Sequence, residues 1–385
     1  MQLARITLGG IGVILAATLG IAAGPTAAIA ETNAGQIKPR GDKPFAAAPV
    51  ATFDEPWAIG FLPDGRMLVT EKPGRIFLVD PHGRKTPVAG VPKVAYGGQN
   101  GLLDIAAAPD YPASRAVYFT YMEPGAGGSS LALARARLEE TGARAALRDV
   151  SVIWRQAYQG AGGQPGGIIA FSPDGRHLFL TVGDRMSPET AQDPDLPLGK
   201  VLRLNPDGST PADNPWFAQG GVRAQTWTTG HRNPYGLAFA PDGRLWMDEM
   251  GPKGGDELNL ILRGRNYGWP IVSNGDNYNG TPIPRHATRP EFEAPVIYWT
   301  PVIAPAGLAF YTGPMFPQWQ GSAFIGGLRA RALARIAFDG RGGATQADLW
   351  DMGQRIRDVA VAPDGALWVI EDASDGRLLR LTPKK

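Results

Sequence analysis

Apolar positions along this chain fall in short runs that one turn phrase keeps interrupting. Phe61-Leu62-Pro63-Asp64-Gly65-Arg66 precedes Met67-Leu68-Val69-Thr70, and Phe171-Ser172-Pro173-Asp174-Gly175-Arg176 precedes Leu178-Phe179-Leu180-Thr181. Phe239-Ala240-Pro241-Asp242-Gly243-Arg244 leads into Leu245-Trp246-Met247, and Val361-Ala362-Pro363-Asp364-Gly365 into Leu367-Trp368-Val369-Ile370. Ala108-Pro109-Asp110 is a weaker copy. Pro presets φ, Asp bonds back to its own backbone and Gly accepts positive φ, so each phrase predicts a strand–turn–strand hairpin. The copies recur at intervals of roughly sixty residues, the last at about twice that. A degenerate copy is expected near residue 302, where Pro301-Val302-Ile303-Ala304-Pro305 precedes Ala309-Phe310-Tyr311. Each unit is long enough for a four-stranded sheet. Six such sheets set radially predict an all-β, six-bladed β-propeller with four-stranded blades, which leaves only short, protected edges. The long period argues against a β-helix, and the regular repeat against a sandwich. No linker divides the chain, so residues 45–385 are expected to form one domain.

Composition narrows this further. With 51 Gly and 35 Pro in 385 residues, long helices are disfavoured, while 43% hydrophobic residues are enough for a core. A net charge of +2 gives no electrostatic footprint for nucleic acid. The absence of cysteine excludes disulfides, thiolate nucleophiles and Cys-ligated metals. The only histidines are His82, His177, His231 and His286. At the N-terminus, Arg5, an apolar run over 6–23 and Ala28-Ile29-Ala30 before Glu31 predict a secretory signal peptide over 1–30. The mature chain is then expected in the periplasm, without stable membrane insertion. Residues 31–44, rich in small residues, are expected to be a flexible lead-in.

Propellers place ligands on loops at the central axis, so chemistry is sought in the Gly-rich segments 96–104, 158–168, 226–280 and 298–331. The stretch Asp248 to Asn259, with Asn266-Tyr267-Gly268-Trp269-Pro270, puts carboxylates and free carbonyls among glycines. That suits calcium, although such loops are often solvated turns. Arg232-Asn233, Arg329, and Arg355 with Arg357 at i and i+2 supply guanidinium forks for a polyanionic ligand. The plain alternative is arginines paired with neighbouring carboxylates.

On these residues the chain resembles the soluble quinoprotein sugar dehydrogenases, the glucose/sorbosone dehydrogenase family, and most of all their aldose sugar dehydrogenase branch. The likeness runs from Pro56-Trp57 and Gly97-Gly98-Gln99-Asn100-Gly101-Leu102-Leu103-Asp104 through Gly230-His231-Arg232-Asn233-Pro234 and Gly251-Pro252. It continues through Gly255-Asp256-Glu257 and Asn266 to Pro270, and ends at Arg355-Ile356-Arg357-Asp358-Val359. The family fold is a six-bladed propeller. The resemblance implies pyrroloquinoline quinone (PQQ) held by Gln99, Arg232, Asn233, Arg355 and Arg357. It puts Arg329 where a Lys is usual. It implies one Ca²⁺ on the Gly251 and Pro252 carbonyls and a second, structural one helped by Glu257 and the Tyr267 carbonyl. The implied reaction oxidises the C1 hydroxyl of an aldose to the lactone and passes electrons to a periplasmic cytochrome or quinone.

One position departs from the family pattern. Counting back from the Pro173-Asp174 turn, Gln164 occupies the place of the family's general base, a His, and Ile168 that of an Arg. No His lies between His82 and His177 that could restore it. A neutral amide cannot accept a proton near pH 7, and loss of a positioned base typically costs about 10²–10⁴-fold. Asp184 aligns with the carboxylate that orients the His, and it is the candidate to act directly or through a water. Three other readings stay open: a quinone-binding propeller of altered activity, a calcium-stabilised propeller that binds a carbohydrate or other ligand without redox chemistry, and a lactonase-like hydrolase.

Overall fold

The computed structural model describes residue 1 and residues 31–160 and 162–384; the signal-peptide reading of 1–30 lies outside the described residues. Each Pro-Asp-Gly phrase forms the turn its chemistry predicts. Gly65, Gly175, Gly243 and Gly365 have φ between 69° and 86°, and each donates its N–H three residues back. The aspartates Asp64, Asp174, Asp242 and Asp364 accept the N–H two residues on at 2.9–3.1 Å.

The hairpins extend into antiparallel sheets. Pro56–Phe61, Met67–Glu71, Arg75–Val79 and Lys85–Ala89 run in sequence order. Leu102–Ala107, Ala116–Gly125, Gly128–Thr141 and Arg144–Arg155 follow, and parallel pairing of Ala145 with Val88 joins the outer edges of these two sets. Next come Gly166–Phe171, Leu178–Val182, Lys200–Leu204 and Thr226–Thr229, then Pro234–Phe239, Leu245–Glu249, Asp256–Leu260 and Ile297–Trp299. Pro305–Phe310, Ala323–Gly327, Ala332–Phe338 and Ala344–Asp351 form another set. In the last sheet Ile356–Val361, Leu367–Glu371 and Gly376–Pro383 are completed by Phe45–Phe53, from the other end of the chain. The expected degenerate copy near 302 is displaced: its strands are Pro305–Phe310 and Ala323–Gly327, and a long connection containing the 3₁₀ turn Pro317–Trp319 replaces the Pro-Asp-Gly turn.

The strands that open these sets, beginning at Pro56, Leu102, Gly166, Pro234, Pro305 and Ile356, touch one another in that cyclic order, and Ile356–Val361 returns to Pro56–Phe61. Threonines on the second strands latch the seams. Thr70 accepts from Ala58 N–H (3.0 Å) and donates to the Leu103 carbonyl (2.7 Å). Thr120 accepts from Asp104 N–H and donates to the Gly167 carbonyl (2.5 Å); Thr181 accepts from Ile168 N–H and donates to the Pro234 carbonyl. Asp358 closes the ring by accepting Ile59 N–H at 2.8 Å. The fourth strand in this series is Leu245–Glu249, and Asp248 takes the corresponding place there. Both its carboxylate oxygens are buried without a partner.

Residues 31–44 depart from the expected flexible lead-in. Thr32–Asn33 adds a parallel strand beside Ile297–Trp299, Asn274 donates to the Glu31 carboxylate, and Arg40 bridges to Trp350. The physical reason is an otherwise open edge, on Ile297–Trp299, which this segment covers.

Candidate active site

Loops at the ring's axis enclose a cavity of about 640 Å³. Its walls carry Gln99, Gln164, Arg232, Asn233, Gly251, Pro252 and Arg329, so seven of the residues singled out from sequence converge. Asp256, Asp276 and Tyr278 also line it.

Two contacts hold Gln164, one from Arg185, which was not singled out from sequence, and one from Gln99. The Arg185 guanidinium is buried and donates to the Asn100 amide oxygen (2.8 Å) and the carbonyls of Gly163 and Gly160 (both 3.0 Å). It thereby ties the 96–104 and 158–168 loops together. The Gln99 Oε1 accepts the Gln164 backbone N–H at 2.5 Å. Gln164, Arg185, Met186 and Ala304 all adopt positive φ, 52–64°, without being glycine. Backbone strain of that kind persists where the surroundings over-determine it.

The Gln164 amide is satisfied when its oxygen faces Arg232 Nη2 (2.7 Å) and its nitrogen donates to Asp184 Oδ1. Asp184 accepts from Met186 N–H (2.9 Å) and from the Trp269 indole N–H (2.8 Å). It is 0% exposed and stands behind Gln164. Burial pushes its carboxyl up to about 6, against the pull of Arg232 and the indole hydrogen bond.

Arg232 is set from below. Glu249 accepts the Arg232 backbone N–H (2.6 Å) and also bonds His231 Nδ1 (2.9 Å), whose Nε2 meets Thr228. His231 is thus fully engaged and shut away from the cavity. The Arg232 Nη1 donates to the Met250 and Gly251 carbonyls (3.0 and 2.7 Å).

Arg355 and Arg357 are not on the cavity wall. Both turn to Asp372, at 2.6 and 3.0 Å. Burial works against the Asp372 carboxylate, yet Arg357 and Arg355 hold its carboxyl below the usual range. Arg357 lies 4.3 Å from the Trp57 ring, on a narrower space of about 270 Å³ at the hub, and its Nε and Nη1 are buried without partners.

The residues suit a polycarboxylate quinone: the guanidinium groups of Arg232 and Arg329 rim the open cavity, and Asn233 Oδ1 on the same wall is an orphaned buried polar atom, while the free Arg357 nitrogens face the separate hub space. Among the described residues no group of three or more His, Cys, Asp or Glu is placed to hold a metal. A calcium ion at Gly251 and Pro252 would therefore rest on carbonyls and on the quinone's own oxygens, and Arg232 would have to leave the Gly251 carbonyl. The Tyr267 carbonyl accepts from His286 Nε2 (3.1 Å), and Glu257 accepts from Asn259, so a second ion there would share those oxygens with these donors.

Comparison with known proteins agrees with this geometry. The sequence model of the Glucose / Sorbosone dehydrogenase family matches residues 53–380. Aldose sugar dehydrogenase YliI of Escherichia coli (strain K12) is 40% identical over 348 residues, 86% of this chain and 91% of that protein. The crystal structure of the soluble aldose sugar dehydrogenase from Escherichia coli in the apo-form superposes with a TM-score of 0.82 at 38% identity, covering 88% of this chain and all of that one. The PQQ-bound form of aldose sugar dehydrogenase from Streptomyces coelicolor gives 0.73 at 31%, covering 90% and 100%.

Proposed function

The chain belongs to the glucose/sorbosone dehydrogenase family, and from that premise we propose that it is a periplasmic, PQQ- and Ca²⁺-dependent aldose dehydrogenase on a six-bladed propeller of four-stranded blades. The closed ring of opening strands supports the blade count. The observation that carries the function is the single cavity joining Arg232, Asn233, Arg329, Gln99 and Gln164 to the Gly251–Pro252 carbonyls. When bound, PQQ supplies the carbon that accepts hydride, and Ca²⁺ the Lewis acidity that polarises its carbonyl.

The protein's own groups bind, orient and move a proton. Arg232 and Arg329 would pair with carboxylates of the cofactor, and the unpartnered Asn233 Oδ1 would accept from a donor on it. Gln164, fixed by Gln99 and Arg185, presents its amide to the sugar C1 hydroxyl. We assign the hydroxyl proton to Asp184 Oδ1, by way of a water admitted when the amide turns off that oxygen. This puts the base one side chain behind the substrate. Electrons then leave to a periplasmic cytochrome or quinone.

The second reading is cofactor or carbohydrate binding without efficient turnover. The amide at the base position favours it. Adding PQQ and Ca²⁺ to the purified apo-protein tests both: a shifted quinone absorbance and a raised melting temperature are expected. If neither appears, the quinone assignment fails. Dye reduction with a panel of aldoses then separates dehydrogenase from binder.

A further inference from the structure

Tyr278 is 70% exposed, the most exposed large apolar side chain among the described residues apart from Met1. It lines the cavity, and its ring centroid lies 5.9 Å from the Arg232 guanidinium. The same guanidinium contacts Gln164, so Tyr278 faces the reacting position across one side chain.

The ring is held out by a braced turn. Gly275–Asp276 pairs with Lys253–Gly254, and Arg285 clasps Asp276 at 2.7 Å and the Ser273 carbonyl at 3.0 Å. Above them Asn277 N–H donates to the Thr281 carbonyl (3.0 Å), Gly280 N–H to the Asn277 carbonyl (2.9 Å) and Thr281 N–H to Asn279 Oδ1 (2.9 Å). A turn with this much internal bonding presents its side chain in one place, so the ordering cost of using it is already met. A tyrosine face left in water at a cavity mouth has no packing role. It suits a ligand with one apolar face and polar edges, because the negative face of the ring attracts C–H groups while nearby polar groups take hydroxyls. Lys253 and Asp276 on the same wall are such groups.

We propose that Tyr278 is the stacking platform for the aldose: it takes the C–H face of the pyranose ring and sets substrate specificity, and it does not hold the cofactor. This rests on the dehydrogenase reading for the identity of the ligand. A charged guanidinium at 5.9 Å, rather than in stacking contact, leaves the outer face of the ring to that ligand.

The test uses the full mature chain with PQQ and Ca²⁺, comparing Tyr278→Ala, Tyr278→Phe and Tyr278→Trp. With Ala, KM for the aldose should rise on the order of tenfold. The kcat should move far less, and the quinone absorbance titration should be unchanged. Phe and Trp should stay close to wild type. An unchanged KM in the Ala variant, or a loss of quinone affinity that matches the loss of sugar affinity, overturns the proposal. Saturation-transfer NMR on the apo-protein with glucose, xylose and maltose gives a readout without turnover. Transfer from aromatic protons to the sugar, lost in the Ala variant, is expected even if the quinone does not bind. In that case the dehydrogenase reading fails while the platform stands, and an absence of transfer in wild type sinks the platform itself.

Discussion

Replacing Gln164 by His puts an imidazole where the amide now bridges Asp184 and Arg232. The backbone there is fixed by the Gln99 bond at 2.5 Å and by the Arg185 clamp, so the ring starts from the same Cα. The φ of +54° is one that His tolerates better than most residues. Asp184 Oδ1, which accepts the amide nitrogen, is placed to accept Nδ1–H, leaving Nε2 toward the cavity. Asp184 would raise the imidazole pKa and Arg232, 2.7 Å from the present amide oxygen, would lower it, so the two act in opposite directions on the ring. An imidazole, unlike the amide, can accept a proton near pH 7. A positioned base is worth about 10²–10⁴-fold, or about 2.7–5.5 kcal/mol of barrier. With Asp184 supplying a slower route, as proposed, the lower end is expected, about a hundredfold in kcat. The assay is single-turnover reduction of the bound quinone by aldose, with occupancy fixed by absorbance. Full occupancy, an Nδ1–H to carboxylate bond visible by ¹⁵N NMR, and a rate within twofold of wild type would refute the reasoning.

Other expectations follow from groups around the site and hub. If Asp184 takes the proton, kcat/KM in wild type should fall as pH drops through about 6, and Asp184→Asn should abolish that limb while leaving quinone titration intact. Lys200 is fully buried and donates to the carbonyls of Thr190, Ala191 and Leu198 at 2.7–3.2 Å, while burial pushes its ammonium down to about 7. Lys200→Met orphans those carbonyls and should cost about 3 kcal/mol in urea denaturation. Burial, reinforced by Asp256, Glu249 and Asp358, raises the Asp248 carboxyl well above 3.8. The native state then binds that proton more tightly than the unfolded chain, so stability present below pH 3.8 is lost as pH rises toward the native pKa. Asp248→Thr, which restores the hydroxyl found at 70, 120 and 181, should stabilise by about 1–3 kcal/mol at pH 7 and by less at pH 4; equal melting temperatures at both pH values would count against this. Thr120→Val removes two latch bonds and should lower stability by about 1–3 kcal/mol without altering quinone affinity.

Much of the architecture was legible because a Pro-Asp-Gly turn is a local event: every chemical cause lies within four residues. The turn after Pro305–Phe310 lacks that phrase, so the sequence reading sets the second strand at Ala309, whereas it begins at Ala323. The cavity was legible where a side chain itself meets the ligand, as for Arg232 and Gln164. It was illegible where the role depends on distant partners. Arg185 follows Asp184 without any motif of its own, and only the fold brings it against Asn100 and Gly160. Asp372 claims Arg355 and Arg357 from 15 or more residues away, a pairing that spacing cannot show. Trp269 lay in a recognised phrase, yet nothing local points its indole at Asp184, 85 residues distant.

The last sheet borrows Phe45–Phe53 from the opposite terminus, and this has a bearing on biogenesis. A chain emerging vectorially carries its first strand long before Gly376–Pro383 exists to receive it. Until the two meet, the circle stands open, and Gln99, Arg232 and Arg329, drawn from separate arcs, have no common centre. Catalytic competence should thus arrive abruptly once Gly376–Pro383 has been made, and a protease cut between residues 44 and 53 should silence the site as surely as a cut beside the cavity.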